Sequence, residues 1–156
     1  MKIMEFLNKK AITANLKSKD KESAIRELID LLVRAGEVKP QDKNAIAKIL
    51  LEREVLGSTG IGQGIGIPHG KSKNIKKLIG ACGISKDGIN FDSLDGEPVY
   101  IFFLLLAPQD SAGPHLKALA RISRLLKDKY FRDILRNAGN EKELITIINK
   151  EDQKKH

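Results

Sequence analysis

The run VYIFFLLLA, Val99–Ala107, shows no alternation of polar and apolar positions over its nine residues. It is far too short to cross a bilayer, which takes about 20 apolar residues as a helix. It reads as a buried strand that stops at Pro108. Successive strand side chains point to opposite faces, so a continuous apolar run needs cover on both. The rest of the chain must provide two covering layers.

Helical patterns before and after the run supply them. A helix is predicted from about Asp20 to Ala35, with Ala24, Ile25, Leu28, Ile29, Leu32 and Val33 as its stripe and Gly36 as its stop. A second follows Pro40, carries Ala45, Ile46, Ile49 and Leu50, and ends near Glu54. LIGACGIS and INF read as strands joined by a turn at Asp87-Gly88, and LDGEP makes a further turn before the apolar run. Leu116, Leu119, Ala120, Ile122, Ser123 and Leu126 belong to one later helix. Shorter helices are predicted near Tyr130–Arg136 and Glu141–Asn149, with a frayed tail from about residue 150 to 156. The order predicts one α/β domain over residues 1–156, its mixed parallel and antiparallel sheet flanked by helices on both faces.

With 4% aromatic residues and no tryptophan, the core must be mostly Leu, Ile, Val and Ala. The formal net charge of +8 favours acidic partners. The runs Lys17–Lys21 and Lys71–Lys77 read singly as solvated surface. One cysteine, Cys82, forms no internal disulfide and falls at a core position in a predicted strand; a reducing compartment is compatible with it. MKIMEFLNKK shows no signal-peptide pattern, and a cytoplasmic protein without direct membrane insertion is expected. No Cys/His cluster has metal-ligand spacing, so no metal is expected.

The stretch GSTGIGQGIGIPHGKS, residues 57–72, places six of the chain's thirteen glycines within fourteen positions around His69. Its Gly-Lys-Ser lacks the glycine that a nucleotide-binding P-loop needs five residues earlier, where Ile65 stands. Glycines at 60, 62, 64 and 66 do not give Gly-x-Gly-x-x-Gly either. The pattern reads instead as a loop feeding a strand that ends at Pro68, so that His69 emerges at a strand end on a surface of small residues. On local chemistry alone, a loop histidine of no special role is the alternative.

His115 follows Pro114 and falls in a helix's first turn, where backbone N–H groups attract anions and disfavour a charged imidazole. A surface residue of that turn is the plainer alternative. His156, in the tail, has little weight as a site residue. Two internal histidines, a glycine-lined surface and nearby Arg53 suggest phosphoryl transfer. A neutral imidazole nitrogen is a good nucleophile for phosphorus near pH 7, and loop N–H groups, an arginine or a second histidine can hold the anionic oxygens. Glycines around the nucleophile let a partner's backbone approach.

The run EVLGSTGIGQGIGIPHGKS closely resembles the active-site motif of enzyme IIA domains of the fructose/mannitol type, from the bacterial phosphoenolpyruvate-dependent phosphotransferase system. Glu54 meets its acidic or amide position, Ile61 and Gly62 the next pair, and Ile65, Gly66, Ile67, Pro68, His69 and Gly70 its close. The small residue is usually alanine, so Gly66 is a mild departure. PVYIFFLLLAP and HLKALARISRLLKD look like the family's late strand and the helix bearing its second histidine.

The resemblance implies that His69 accepts a phosphoryl group from an HPr-like phosphocarrier protein, as a tele-phosphohistidine intermediate. It implies that His115 and Arg53 bind or stabilise the group, with Ser58, Thr59 and Gln63 assigned to the same cradle, and no cofactor. Gln63 stands where mannitol-type transport domains carry a glutamate, which favours the nitrogen-regulatory branch and puts one negative charge fewer near the phosphate. Regulatory target proteins would then be the partners downstream. The alternative within the family is a sugar-specific component that passes phosphate to an enzyme IIB. Outside it stands a non-catalytic module binding an acidic partner or nucleic acid. Nucleic acid is not expected, since aromatic stacking runs and a helix-turn-helix pattern are missing.

Overall fold

The computed structural model describes residues 1–154. Its strands are β1 (Leu7–Thr13), β2 (Gly60–Gly62), β3 (Ile65–Gly66), β4 (His69–Ser72), β5 (Ile79–Ile89) and β6 (Val99–Pro108). The helices are α1 (Lys21–Arg34), α2 (Lys43–Val55), α3 (Gly113–Leu125), α4 (Lys129–Arg136) and α5 (Glu141–Asp152). They form a six-stranded sheet in the order β1-β5-β6-β3-β2, with β4 also paired to β6.

The apolar run sits at the sheet's centre, as its two-sided hydrophobicity requires. It pairs antiparallel with β5 on one side and parallel with β3 and β4 on the other. Ile101, Phe103 and Leu105 enter one core, built with α3, α4 and α5. Phe102, Leu104 and Leu106 enter the second, built with α1 and α2. Each such side chain, none more than 1% exposed, contributes about 1.5–3 kcal/mol by leaving water. The expected mixed sheet flanked on both faces is what forms.

The first helix lies within a residue of its predicted bounds, because its stop and start signals are local. The Asp20 carboxylate caps α1 by accepting from the Ser23 N–H at 2.9 Å, and Gly36 ends it at φ +80°. Among the described residues no helix is long and apolar enough to cross a membrane.

Four expectations change. The edge strand β1 was not foreseen: its exposed Lys9 and Lys10 interrupt any alternation, as edge strands tolerate. Asp87-Gly88 makes no turn between two strands. Strand β5 runs on through it with a bulge between Ile84 and Ile89, where Gly88 takes φ +84° and its N–H is held by the Ser85 hydroxyl at 3.0 Å. The strand expected to end at Pro68 resumes at His69. Strands β3 and β4 are two pieces along the same edge of β6, broken where Pro68 lacks an N–H. The fraying expected from about residue 150 is not found there, since α5 continues to Asp152. The buried Asp152 carboxylate accepts from the Ile3 and Met4 N–H groups at 3.0 and 2.9 Å and pairs with Arg121 at 3.2 Å. His156 lies outside the described residues.

Candidate functional site

Strand β4 carries His69 into register with Leu105 of β6, so a rigid central strand sets its position. The next residue, Gly70, lies under α2: a Cβ there would stand 3.0 Å from Ile49 Cγ2 and 3.3 Å from Leu50 Cδ2. The missing side chain lets the helix close onto the strand beside the imidazole. Gly66 is also suited to its place, since a Cβ would meet Val99 Cγ1 at 3.1 Å.

Nδ1 of His69 lies 2.7 Å from the Ile67 carbonyl oxygen. A carbonyl only accepts, so Nδ1 carries the proton and the Nε2 lone pair is left available. The His115 ring, from the first turn of α3, stands 5.3 Å away between centroids, tilted by 51°. Burial is the main reason both imidazoles lie below the ordinary 6.5. For His69 the Ile67 carbonyl opposes this, the Arg53 charge adds to it, and Glu54 counters. For His115 the neighbouring His69 and Lys71 push the same way as burial. Both rings are therefore neutral near pH 7.

His115 is only 6% exposed, and its Nδ1 is buried without a hydrogen-bond partner. No side chain caps α3 at Ala112, so its first turn is left without a side-chain partner. The next residue, Leu116, is 63% exposed, so His115 is the inward residue of this turn.

The half-buried Arg53, on the last turn of α2, donates to the Gly57 carbonyl at 2.7 Å and holds the start of the glycine loop. Glu54 beside it anchors the loop's next turn. Its buried carboxylate accepts from the Thr59 N–H at 3.0 Å, from the Thr59 hydroxyl, and from the Lys21 ammonium at 3.0 Å. The motif comparison had given Glu54 no role. Its place on the inward stripe Ile46, Leu50, Glu54 is the sequence feature that could have found it.

These bonds redistribute the expected cradle. The Thr59 hydroxyl is taken by Glu54, and Ser58 donates to the Phe91 carbonyl at 2.6 Å. Both bonds shape the loop. Gln63 sits at φ +58° in the β2–β3 turn, its N–H on the Asp95 carboxylate at 2.9 Å. The adjoining Gly64 carbonyl accepts from Tyr100, whereas His69 pairs with Leu105. Five strand residues, roughly 16 Å, separate those positions along β6. The structure gathers His69, His115 and Arg53, and adds the Ile67 carbonyl and Lys71. Among the described residues no group of His, Cys, Asp or Glu is placed to hold a metal.

Residues 5–151 match the family described as phosphoenolpyruvate-dependent sugar phosphotransferase system, EIIA 2. The chain is 41% identical over 153 residues to the PTS system fructose-specific EIIABC component of Bacillus subtilis, covering 98% of this chain but 24% of that protein. It thus spans about a quarter of that relative's length. It is 38% identical over 148 residues to the nitrogen regulatory protein of Bradyrhizobium diazoefficiens, covering 95% of each. The crystal structure of nitrogen regulatory protein IIA-Ntr from Neisseria meningitidis superposes with a TM-score of 0.84 at 32% identity, over 94% of this chain and 98% of that one.

Proposed function

The chain belongs to the EIIA 2 family of the phosphoenolpyruvate-dependent sugar phosphotransferase system, and from that premise we propose that His69 receives the phosphoryl group it carries. The observation behind the assignment is the Nδ1 bond to the Ile67 carbonyl, which leaves Nε2 as the nucleophile. Nε2 forms the new P–N bond as the P–N bond to the donor histidine of an HPr-like phosphocarrier breaks. The electron pair of the broken bond stays on the donor nitrogen, which takes up a proton. Positive charge growing on the His69 ring is held by the Nδ1–H bond to Ile67. The product is a tele-phosphohistidine.

His115, Arg53 and the uncapped start of α3 stabilise the phosphoryl oxygens, since they put N–H groups and one fixed cation beside the acceptor. Ser58 and Thr59 act through the shape of the loop.

A regulatory role, in which target proteins read the phosphorylation state, is favoured by the match to nitrogen regulatory proteins over nearly their whole length. A sugar-specific role, passing phosphate to an enzyme IIB, is favoured by the identity with the fructose-specific component. Transfer onto an enzyme IIB would select the second, and partners captured in only one phosphorylation state the first.

Incubation with phosphoenolpyruvate, enzyme I and a phosphocarrier protein tests the assignment. An acid-labile label is expected on the wild type and none on His69→Ala. Equal labelling of the two would refute it.

A further inference from the structure

The surface on one side of His69 is cationic and that on the other is apolar, and α2 orders the two. Between Glu54 and Asp87 the chain has no acidic residue, while Lys71, Lys73, Lys76 and Lys77 fall within seven positions. The connection carrying them is rigid at its base. Ser72 and Ile75 are buried, and the Ile75 N–H bonds to the Ser72 carbonyl at 3.2 Å. Lys39 stands across a groove of about 690 Å³ from Lys73, Lys76 and Lys77. A second hollow, of about 420 Å³, runs from Lys73 past Lys71 to Ala45 and Ile49 of α2. Ile49 also lies over Gly70, so this ground is continuous with the His69 site.

Further along α2 comes Arg53, beside His69, and then the helix end, where Val55 and Leu56 are 86% and 85% exposed. Lys71 acts on His115 from the near edge of the cationic ground. Among the described residues only Lys77 of the five lysines has a carboxylate within 4.0 Å, from Glu37 at 3.9 Å. Glu37 and Asp42 also line the groove, which leaves its four lysines with an excess of two positive charges. The outer lysines are exposed and spread along the groove, over a floor that includes Ile75 and Ile79. That form suits a protein face better than a small anion.

We infer that this surface docks an acidic phosphoryl-donor protein, whose phosphorylated residue lies between an acidic patch facing Lys39, Lys73, Lys76 and Lys77 and an apolar patch facing Val55 and Leu56. The inference rests on His69 as the acceptor. Exposed charges at the rim of an interface act chiefly on the rate of encounter and are screened by salt. The footprint thus sets which donor is chosen and in which orientation, while the transfer step stays with the histidines.

Single-turnover transfer from a phosphorylated phosphocarrier protein is the test, run at low and high salt on the wild type and on K73E/K76E/K77E. Lys71 is left intact because it acts on His115. Labelling by phosphoramidate, a small donor that needs no docking, runs in parallel. At low salt the triple variant should lose about tenfold or more of the second-order rate constant. Its rate at saturating donor and its phosphoramidate labelling should be unchanged, and the wild type alone should slow as salt rises. Rate constants within about twofold of each other, with both proteins labelled, would overturn the footprint and leave the acceptor standing. The same holds if the wild type binds an oligonucleotide through these lysines while transfer is unaffected. No label on wild-type His69 from either donor would overturn both.

Discussion

At His69 the decisive contact is with a backbone atom. The Ile67 carbonyl chooses the tautomer, and burial keeps the ring neutral. Because the folded pKa is lowered, His69 should stay a competent acceptor somewhat below pH 6.5. An NMR titration of the ring checks this, and a midpoint above that value would contradict it. The linkage has a definite sign. Both histidines titrate lower in the folded chain, so the unfolded chain binds more protons as pH falls from 6.5. Their stabilising contribution is present above that pH and is lost as pH falls through the folded values. His115→Ala should flatten the acid limb of a stability profile. Glu54→Gln should destabilise by about 2 kcal/mol in a denaturant melt, through weaker bonds to Thr59 and the Lys21 ammonium. At this scale the sequence was informative about His69, whose Pro-His-Gly setting is contiguous. It gave no sign that the Ser58 and Thr59 hydroxyls are held within the loop, by the Phe91 carbonyl and the Glu54 carboxylate. Contiguity does not show which hydroxyl a buried carboxylate will claim.

The elements were legible where signals are local. The Asp20 cap, the Gly36 stop and the unbroken β6 run each fix an element without help from distant residues. Strand β1 depends on a tertiary partner, β5, and its lysine-bearing edge hid it. The Asp87-Gly88 pair is a strong hairpin signal, yet its positive φ serves a bulge packed on Tyr100. The junction of α2 with β4 yields a sharper expectation. Gly70→Ala should cost about 1–3 kcal/mol in thermal unfolding, as the new methyl group presses on Ile49 and Leu50. Labelling should fall with it, since the same displacement moves Arg53 away from His69. Full stability with full labelling would show that α2 adapts freely.

Across the whole molecule, two cores lie on opposite faces of one sheet, and the first and last segments are tied together. Asp152 joins the N-terminal turn and Arg121 to α5, so a residue near the chain's end belongs to the interior. Asp152→Ala should cost about 3–5 kcal/mol in a urea melt, because it strands the Arg121 charge and two N–H groups. That tie was invisible in the sequence, which offers only a charged tail. The two-sided β6 was visible because its demand for cover is written in its own side chains. Everything built on this frame converges on one atom, Nε2 of His69. The nitrogen-15 spectrum of the phosphorylated protein identifies the modified atom directly. The phosphoryl group is expected on Nε2 of His69, with Nδ1 still protonated toward Ile67. Phosphorylation at Nδ1, or on His115, would contradict the account.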